Sequence, residues 1–204
     1  MRVAILGGTG KFGQALTARL IDAGDEVILG SRDEARAKEA AAPFGAAGAR
    51  NEAAVGGVEL VVLAVDAGAA VSTAQAVARA LGSTPLLSVA SELEFAAGTA
   101  RPATRARSIA EDVAEVVDAP VAAGLHSLAA GRLARGRLDE DALVCGRDEA
   151  KSVALELAER LVSGRTIDAG PLQAARALEA MTAVILNVNR KYKTHAGLRV
   201  TGLD

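Results

Sequence analysis

Residues 3–13 read VAILGGTGKFG, an apolar run that ends in closely spaced glycines and leads directly into an amphipathic segment over 11–23. Gly8, Gly10 and Gly13 stand in G-x-G-x-x-G spacing. In a strand–turn–helix unit the first of these glycines allows a tight turn. The second lets the backbone approach a pyrophosphate, and the third lets helix pack on strand. The helix that follows offers unpaired N–H groups and the positive end of its dipole. A glycine-rich turn holding no ligand is the plain alternative. Against it stands the context: a strand before, a helix after, and a second strand EVIL at 26–29. The spacing predicts a dinucleotide-binding βαβ unit.

The same rhythm continues along the chain. Aliphatic runs at 59–65 (ELVVLAV), 85–89 (PLLSV), 120–125 (PVAAGL), 142–145 (ALVC) and 165–168 (RTID) read as strands. Helical segments are expected at 33–42, 67–81 and 148–162. Strands apolar on both faces, separated by helices, predict an α/β fold of Rossmann type: a doubly wound parallel sheet with right-handed crossovers. AAAPFGAAGAR at 40–50 reads as a helix end and loop. After Gly170–Pro171 the rhythm changes to one long helix reaching about Lys191, because Pro at a helix start sacrifices no intrahelical bond. The expected organisation is therefore a nucleotide domain over 1–170 and a helical appendage over 171–204 that completes a second site.

Composition narrows the function. Of 204 residues half are hydrophobic and 24% charged, with a net charge of −2. Such a chain is globular and has no electrostatic case for nucleic acid or a membrane surface. One Tyr, three Phe and no Trp leave little on which to stack bases. The single cysteine, Cys145, reads as a small core residue, and two distant histidines make no metal pair. No run is long enough to span a bilayer and no secretory signal is legible, so the cytoplasm is expected.

The cofactor preference rests on residues 26–36, EVILGSRDEAR. An NAD-preferring site carries a carboxylate about twenty residues past the glycine fingerprint, bonded to the ribose hydroxyls. Counting from Gly10 arrives at Gly30, and Ser31 and Arg32 follow, with Arg36 a helical turn beyond. A hydroxyl and two guanidinium forks suit the 2′-phosphate of NADP(H). At ~1.5–3 kcal/mol for each charge-assisted bond, two would favour NADPH by roughly a hundredfold or more. The competing account makes Arg32 and Arg36 surface charges paired with Asp33 and Glu34.

With both ends in view, the chain resembles the NADPH-dependent reductases of coenzyme F420. The resemblance is carried by MRVAILGGTG, ILGSRD, LVCG, IDAGPL and LNVNRKYKTHAGLRVTGLD. It implies reversible hydride transfer between nicotinamide and an 8-hydroxy-5-deazaflavin, two rings stacked in an apolar cleft. That chemistry needs alignment rather than acid or base groups, and no catalytic side chain is assigned. It further implies that Gly8, Thr9, Gly10, Gly13, Ser31, Arg32, Arg36 and Val65 hold NADP(H). His126, Arg176 and Thr182 would line the F420 side, and the protein would be a homodimer. The chain departs from the family at Val65–Asp66–Ala67, where a Pro and an aromatic are usual. It departs again at 88–95, where a V-P-L-like turn is usual, and at Ala180, where a serine is common.

Read without the resemblance, His126 follows a strand and stands either at the ligand end of the sheet or as a core histidine. Arg176 and Thr182, six residues apart on a helix, point about 120° from each other, and Arg176 could simply pair with Glu179. Arg190, Lys191, Lys193, His195 and Arg199 complement a helix dipole or meet the anionic tail of the deazaflavin coenzyme. RVTGL at 199–203 could add a strand or pack across a subunit interface. Two other functions suit the nucleotide motif: an NADPH reductase of another small acceptor, an imine or a flavin, and a non-catalytic NADP(H)-binding protein.

Overall fold

A computed structural model describes residues 1–203. Its strands are β1 (Arg2–Leu6), β2 (Glu26–Ser31), β3 (Ala47–Arg50), β4 (Leu60–Leu63), β5 (Leu86–Ser88), β6 (Leu93–Ala96), β7 (Thr99–Pro102), β8 (Val121–Gly124), β9 (Ala142–Gly146) and β10 (Thr166–Asp168). The helices are α1 (Lys11–Asp22), α2 (Glu34–Ala41), α3 (Asn51–Ala54), α4 (Ala67–Leu81), α5 (Ile109–Ala114), α6 (Ala130–Leu133), α7 (Asp148–Glu159) and α8 (Ala175–Tyr192). Eight strands form one sheet in the order β3-β2-β1-β4-β5-β8-β9-β10. The first six are parallel, which is the doubly wound order expected of a Rossmann domain.

The sheet is apolar on both faces because both are covered. Val3 and Ile5 pack with Leu16 and Leu20 of α1 and Leu157 of α7. Ala4 and Leu6 pack on the other side with Ala74 and Val77 of α4 and Val113 of α5. The two-residue period of β1 thus feeds two cores, and no face is left for an alternation with polar residues. Cys145 in β9 is fully buried, as a core residue should be. Burial pushes its thiol up to about 11.

Three features differ from expectation. β8 and β9 pair antiparallel, with Ala122 opposite Gly146, so the sheet is mostly but not wholly parallel. Residues 125–141 bring the chain back so that β9 starts beside the end of β8, and α7 then provides the crossover that makes β9 and β10 parallel. Second, the loop expected at 40–50 contains the edge strand β3. Third, β6 and β7 form a hairpin outside the main sheet. Asn187 of α8 clasps it like a strand neighbour, accepting from Ala100 N at 2.9 Å and donating to Ala100 O at 2.7 Å.

At the C-terminal end Pro171 precedes a 3-10 turn, Leu172–Ala174, and α8 begins only at Ala175. Among the described residues, the segment after α8 adds no strand to the sheet. It is tied down instead, with Asp141 N donating to Leu198 O at 2.7 Å and Val200 N donating to the Asp141 carboxylate at 2.8 Å.

Candidate functional site: a crevice along the strand ends

The glycine loop joins β1 to α1, and its glycines serve three purposes. Gly7, not Gly8, carries the positive φ of 83° that the turn demands. A Cβ on Gly8 would lie 2.7 Å from Leu29 Cγ, and one on Gly13 would lie 2.7 Å from Gly8 Cα, so both are close-packing positions. At Gly10 a Cβ would meet nothing of the protein closer than 3.4 Å. Its missing side chain leaves open space at the start of α1, whose first turn has neither a capping side chain nor an acid. Thr9 is half-buried beside it, its carbonyl accepting from Gln14 at 3.1 Å.

A cavity of about 280 Å³ opens here, lined among others by Thr9, Gly10, Ser31, Arg32, Arg36 and Val65. These are the expected nucleotide contacts, brought together from the ends of β1, β2 and β4. Gly8 and Gly13 support the loop from behind. The count to Gly30 needs correction by one residue. A Cβ at position 30 would point into the core, 2.5 Å from Leu6 Cδ2, whereas Ser31, on the other side of the strand, lines the cavity. Ser31 is thus the position of the absent carboxylate.

The nearby acids are engaged elsewhere. Asp33 caps α2, accepting from Ala35 N at 2.9 Å and Arg36 N at 3.3 Å. Glu34 pairs with Lys38 at 2.5 Å, which lowers its pKa. Among the described residues neither Arg32 nor Arg36 makes an ion pair, and both are exposed. The two guanidinium groups are therefore available to an anion, with the Ser31 hydroxyl between strand end and helix start.

A second cavity of about 250 Å³ continues the first. It shares Gly10, Ala64, Val65 and Asp66 with it and adds Phe12, Ala67, Val89, Ala90 and Ser91. Asp66 lines both but is itself exposed, so its carboxylate stays hydrated. At the far end Ser91 Oγ lies 2.8 Å from Thr182 Oγ1, which donates to the His126 carbonyl at 3.0 Å. Thr182 and His126 are thus brought together. Arg176 lies one helical region away, donating to Ala103 O at 2.7 Å, while the buried Glu179 accepts from the N-terminal N–H groups of α5. Arg176 and Glu179 do not form the exposed pair that their spacing allowed.

His126 sits at the end of β8 with its ring buried and neither ring nitrogen hydrogen-bonded. Burial lowers its pKa to about 4, opposed by the Ala90 backbone, so the ring is neutral at pH 7. It lines a void of about 10 Å³ with Leu143, Leu178, Met181 and Leu198, room for one water at most. Sequence reasoning did not single out Asn51 or Ser91. Asn51 lines the nucleotide cavity with its Oδ1 buried and unpartnered. Nothing in the sequence points to it, because the strand before it, β3, reads as a loop. Ser91 lies in the segment 88–95, where the usual turn is absent.

A doubly wound sheet with a glycine loop, a crevice along its strand ends and an open cationic ribose end defines a Rossmann-type dinucleotide-dependent oxidoreductase. The family model "NADP oxidoreductase coenzyme F420-dependent" matches residues 2–92. The F420-dependent NADP reductase of Methanothermobacter marburgensis is 32% identical over 100% of this chain and 99% of its own length. That of Methanocaldococcus jannaschii is 32% identical over the whole of both chains. A crystal structure from Arthrobacter sp. FB24, provisionally named an F420-dependent NADP reductase, superposes with a TM-score of 0.83 at 26% identity, covering 99% of this chain and all of that one. The chain belongs to the F420-dependent NADP reductase family.

Proposed function

We infer that the protein transfers a hydride reversibly between NADPH and the deazaflavin coenzyme F420. The observation that carries this is the continuous crevice, running from Arg32 and Arg36 past Gly10 and Val65 to Ser91, which meets Thr182 of α8, in a chain related end to end to such reductases. NADPH would lie along it. Its pyrophosphate would take the bare N-terminus of α1 beside Thr9 and Gly10, and its 2′-phosphate Ser31, Arg32 and Arg36. The nicotinamide would then reach Val65. F420 would approach from the α8 side, the place of His126, Arg176 and Thr182. Binding energy there aligns two rings so that C4 faces C5 at reacting distance. Neither ring needs a proton from the protein for the hydride itself to move.

Other parts of this reading concern the assembly and the cell. Val184, Leu186 and Tyr192 on α8 and Phe95 on the hairpin are large, apolar or aromatic, and exposed. Exposed apolar side chains on this helix suit burial against a second copy of the chain, so the protein would be a homodimer. Light scattering on the purified chain would return twice the monomer mass. No helix among the described residues is long and apolar enough to cross a membrane, and a cytoplasmic location suits a lone buried thiol.

The direct experiment is spectroscopic. Mixing the protein with NADPH and oxidised F420 should bleach the deazaflavin absorbance quickly, with NADH much slower. Binding of NADPH without bleaching would overturn the assignment of F420 as acceptor.

A further inference from the structure

The far end of the crevice contains a chain of two hydroxyls whose protons can be counted. Thr182 Oγ1 lies 3.0 Å from the His126 carbonyl oxygen, which can only accept. The single hydroxyl proton of Thr182 is therefore committed to that bond. Thr182 and Ser91 are 2.8 Å apart. With the Thr182 proton already placed, Ser91 must be the donor in this pair. What Ser91 has left for the cavity is oxygen lone pairs and no proton. Gly10, Val65 and Ser91 line one cavity, so this acceptor stands at the end of the crevice opposite the cationic ribose site.

We propose that Ser91, poised as an obligate acceptor by Thr182 and the His126 carbonyl, takes a hydrogen bond from the carboxamide N–H of the nicotinamide and so fixes which way that ring lies. This rests on the reading of the crevice as an NADPH site. The carboxamide has two N–H donors and one carbonyl, and a 180° turn about its bond to the ring exchanges them. An acceptor with no proton of its own favours one of these orientations, because the other would set carbonyl oxygen against lone pair. Ser91 is a positioning residue: it holds the ring from which the hydride leaves and takes no part in the transfer. It lies in the segment where the turn usual in the family is absent, and Ala180, two residues before Thr182, cannot contribute a hydroxyl of its own.

The test compares NADPH with its 3-acetylpyridine analogue, whose acetyl group keeps the carbonyl and lacks the N–H. Dissociation constants are read by quenching of dinucleotide fluorescence or by calorimetry, with no second coenzyme present. The outcome is thus independent of whether F420 is the acceptor. The native protein should bind NADPH roughly three- to tenfold tighter than the analogue, the worth of one neutral hydrogen bond. In Ser91→Ala this preference should collapse to near unity, through weaker binding of NADPH with the analogue unchanged. In Thr182→Val the Ser91 proton is released to donate, so the preference should shrink through tighter binding of the analogue. Matching thermal unfolding midpoints would show that the variants are folded. An unchanged preference in Ser91→Ala overturns the proposal.

Discussion

At the end of β2 successive side chains alternate between core and cavity, so one residue of register separates a structural position from a specificity position. Gly30 faces Leu6 and Asn51, and Ser31 faces the nucleotide crevice. A carboxylate should therefore act very differently at the two sites. Ser31→Asp should repel a 2′-phosphate and accept from ribose hydroxyls, lowering the NADPH-to-NADH ratio of kcat/KM by about a hundredfold. Gly30→Asp should leave that ratio within a few-fold and instead lose at least about 1–3 kcal/mol of stability, through overpacking against Leu6 and burial of an unpaired carboxylate. Steady-state kinetics with both dinucleotides and urea titrations separate the two, and a switch at position 30 would refute the register. Arg32→Glu should weaken NADPH at least tenfold more than NADH, whereas an equal loss for both would remove Arg32 from the phosphate site. The sequence offered residue types suited to a phosphate but not which of two neighbours faces the crevice, because counting from a motif has no direction in it.

At the scale of elements, the strands and helices with strong patterns were legible, and those without were not. β1, β4 and β5 are aliphatic runs with helices between them. β3 is Ala-Gly-Ala-Arg, with no β-branched residue to mark it, and it exists because β2 offers it an edge. The β6–β7 hairpin is concealed for another reason. Its two-residue turn is Ala97–Gly98, with φ of 46° and 75°, where Asn-Gly is the usual signal for positive φ at both positions. Ala97 is strained there, so Ala97→Asn should stabilise the hairpin by a few tenths of a kcal/mol up to about 1. Slower amide exchange at the cross-strand pairs of 93–102 would show it. Unchanged or faster exchange would mean that the Asn187 clasp, not the turn, sets the hairpin's stability. The far end of the crevice was hard to read because residues 91, 126 and 182, far apart in the chain, meet there only through the packing of α8.

For the whole molecule, the price of burying His126 should appear as acid sensitivity. Its folded pKa of about 4 lies below the ordinary value of 6.5, because burial disfavours the cation. The unfolded chain therefore binds a proton that the folded chain refuses. Stability from this group is fully present above pH 6.5 and is lost as the pH falls toward 4, at about 1.4 kcal/mol per pH unit and about 3 kcal/mol in all. Glu140 and Glu179 act in the opposite sense, since burial raises their pKa values and folding takes up protons there. The total pH profile thus mixes signs, and a variant is needed to isolate the histidine. His126→Phe keeps a ring in a site walled by Leu143, Leu178, Met181 and Leu198 and removes the titration. The difference in unfolding free energy between His126→Phe and the native protein, from urea titrations at intervals between pH 7.5 and 4.5, should grow steadily in favour of the variant below pH 6.5. A difference that stays constant would mean that the ring can take up its proton in the folded state. The tail carrying Leu198 would then have to open in acid, freeing the end of β8 that α8 and Thr182 otherwise hold in place for the crevice.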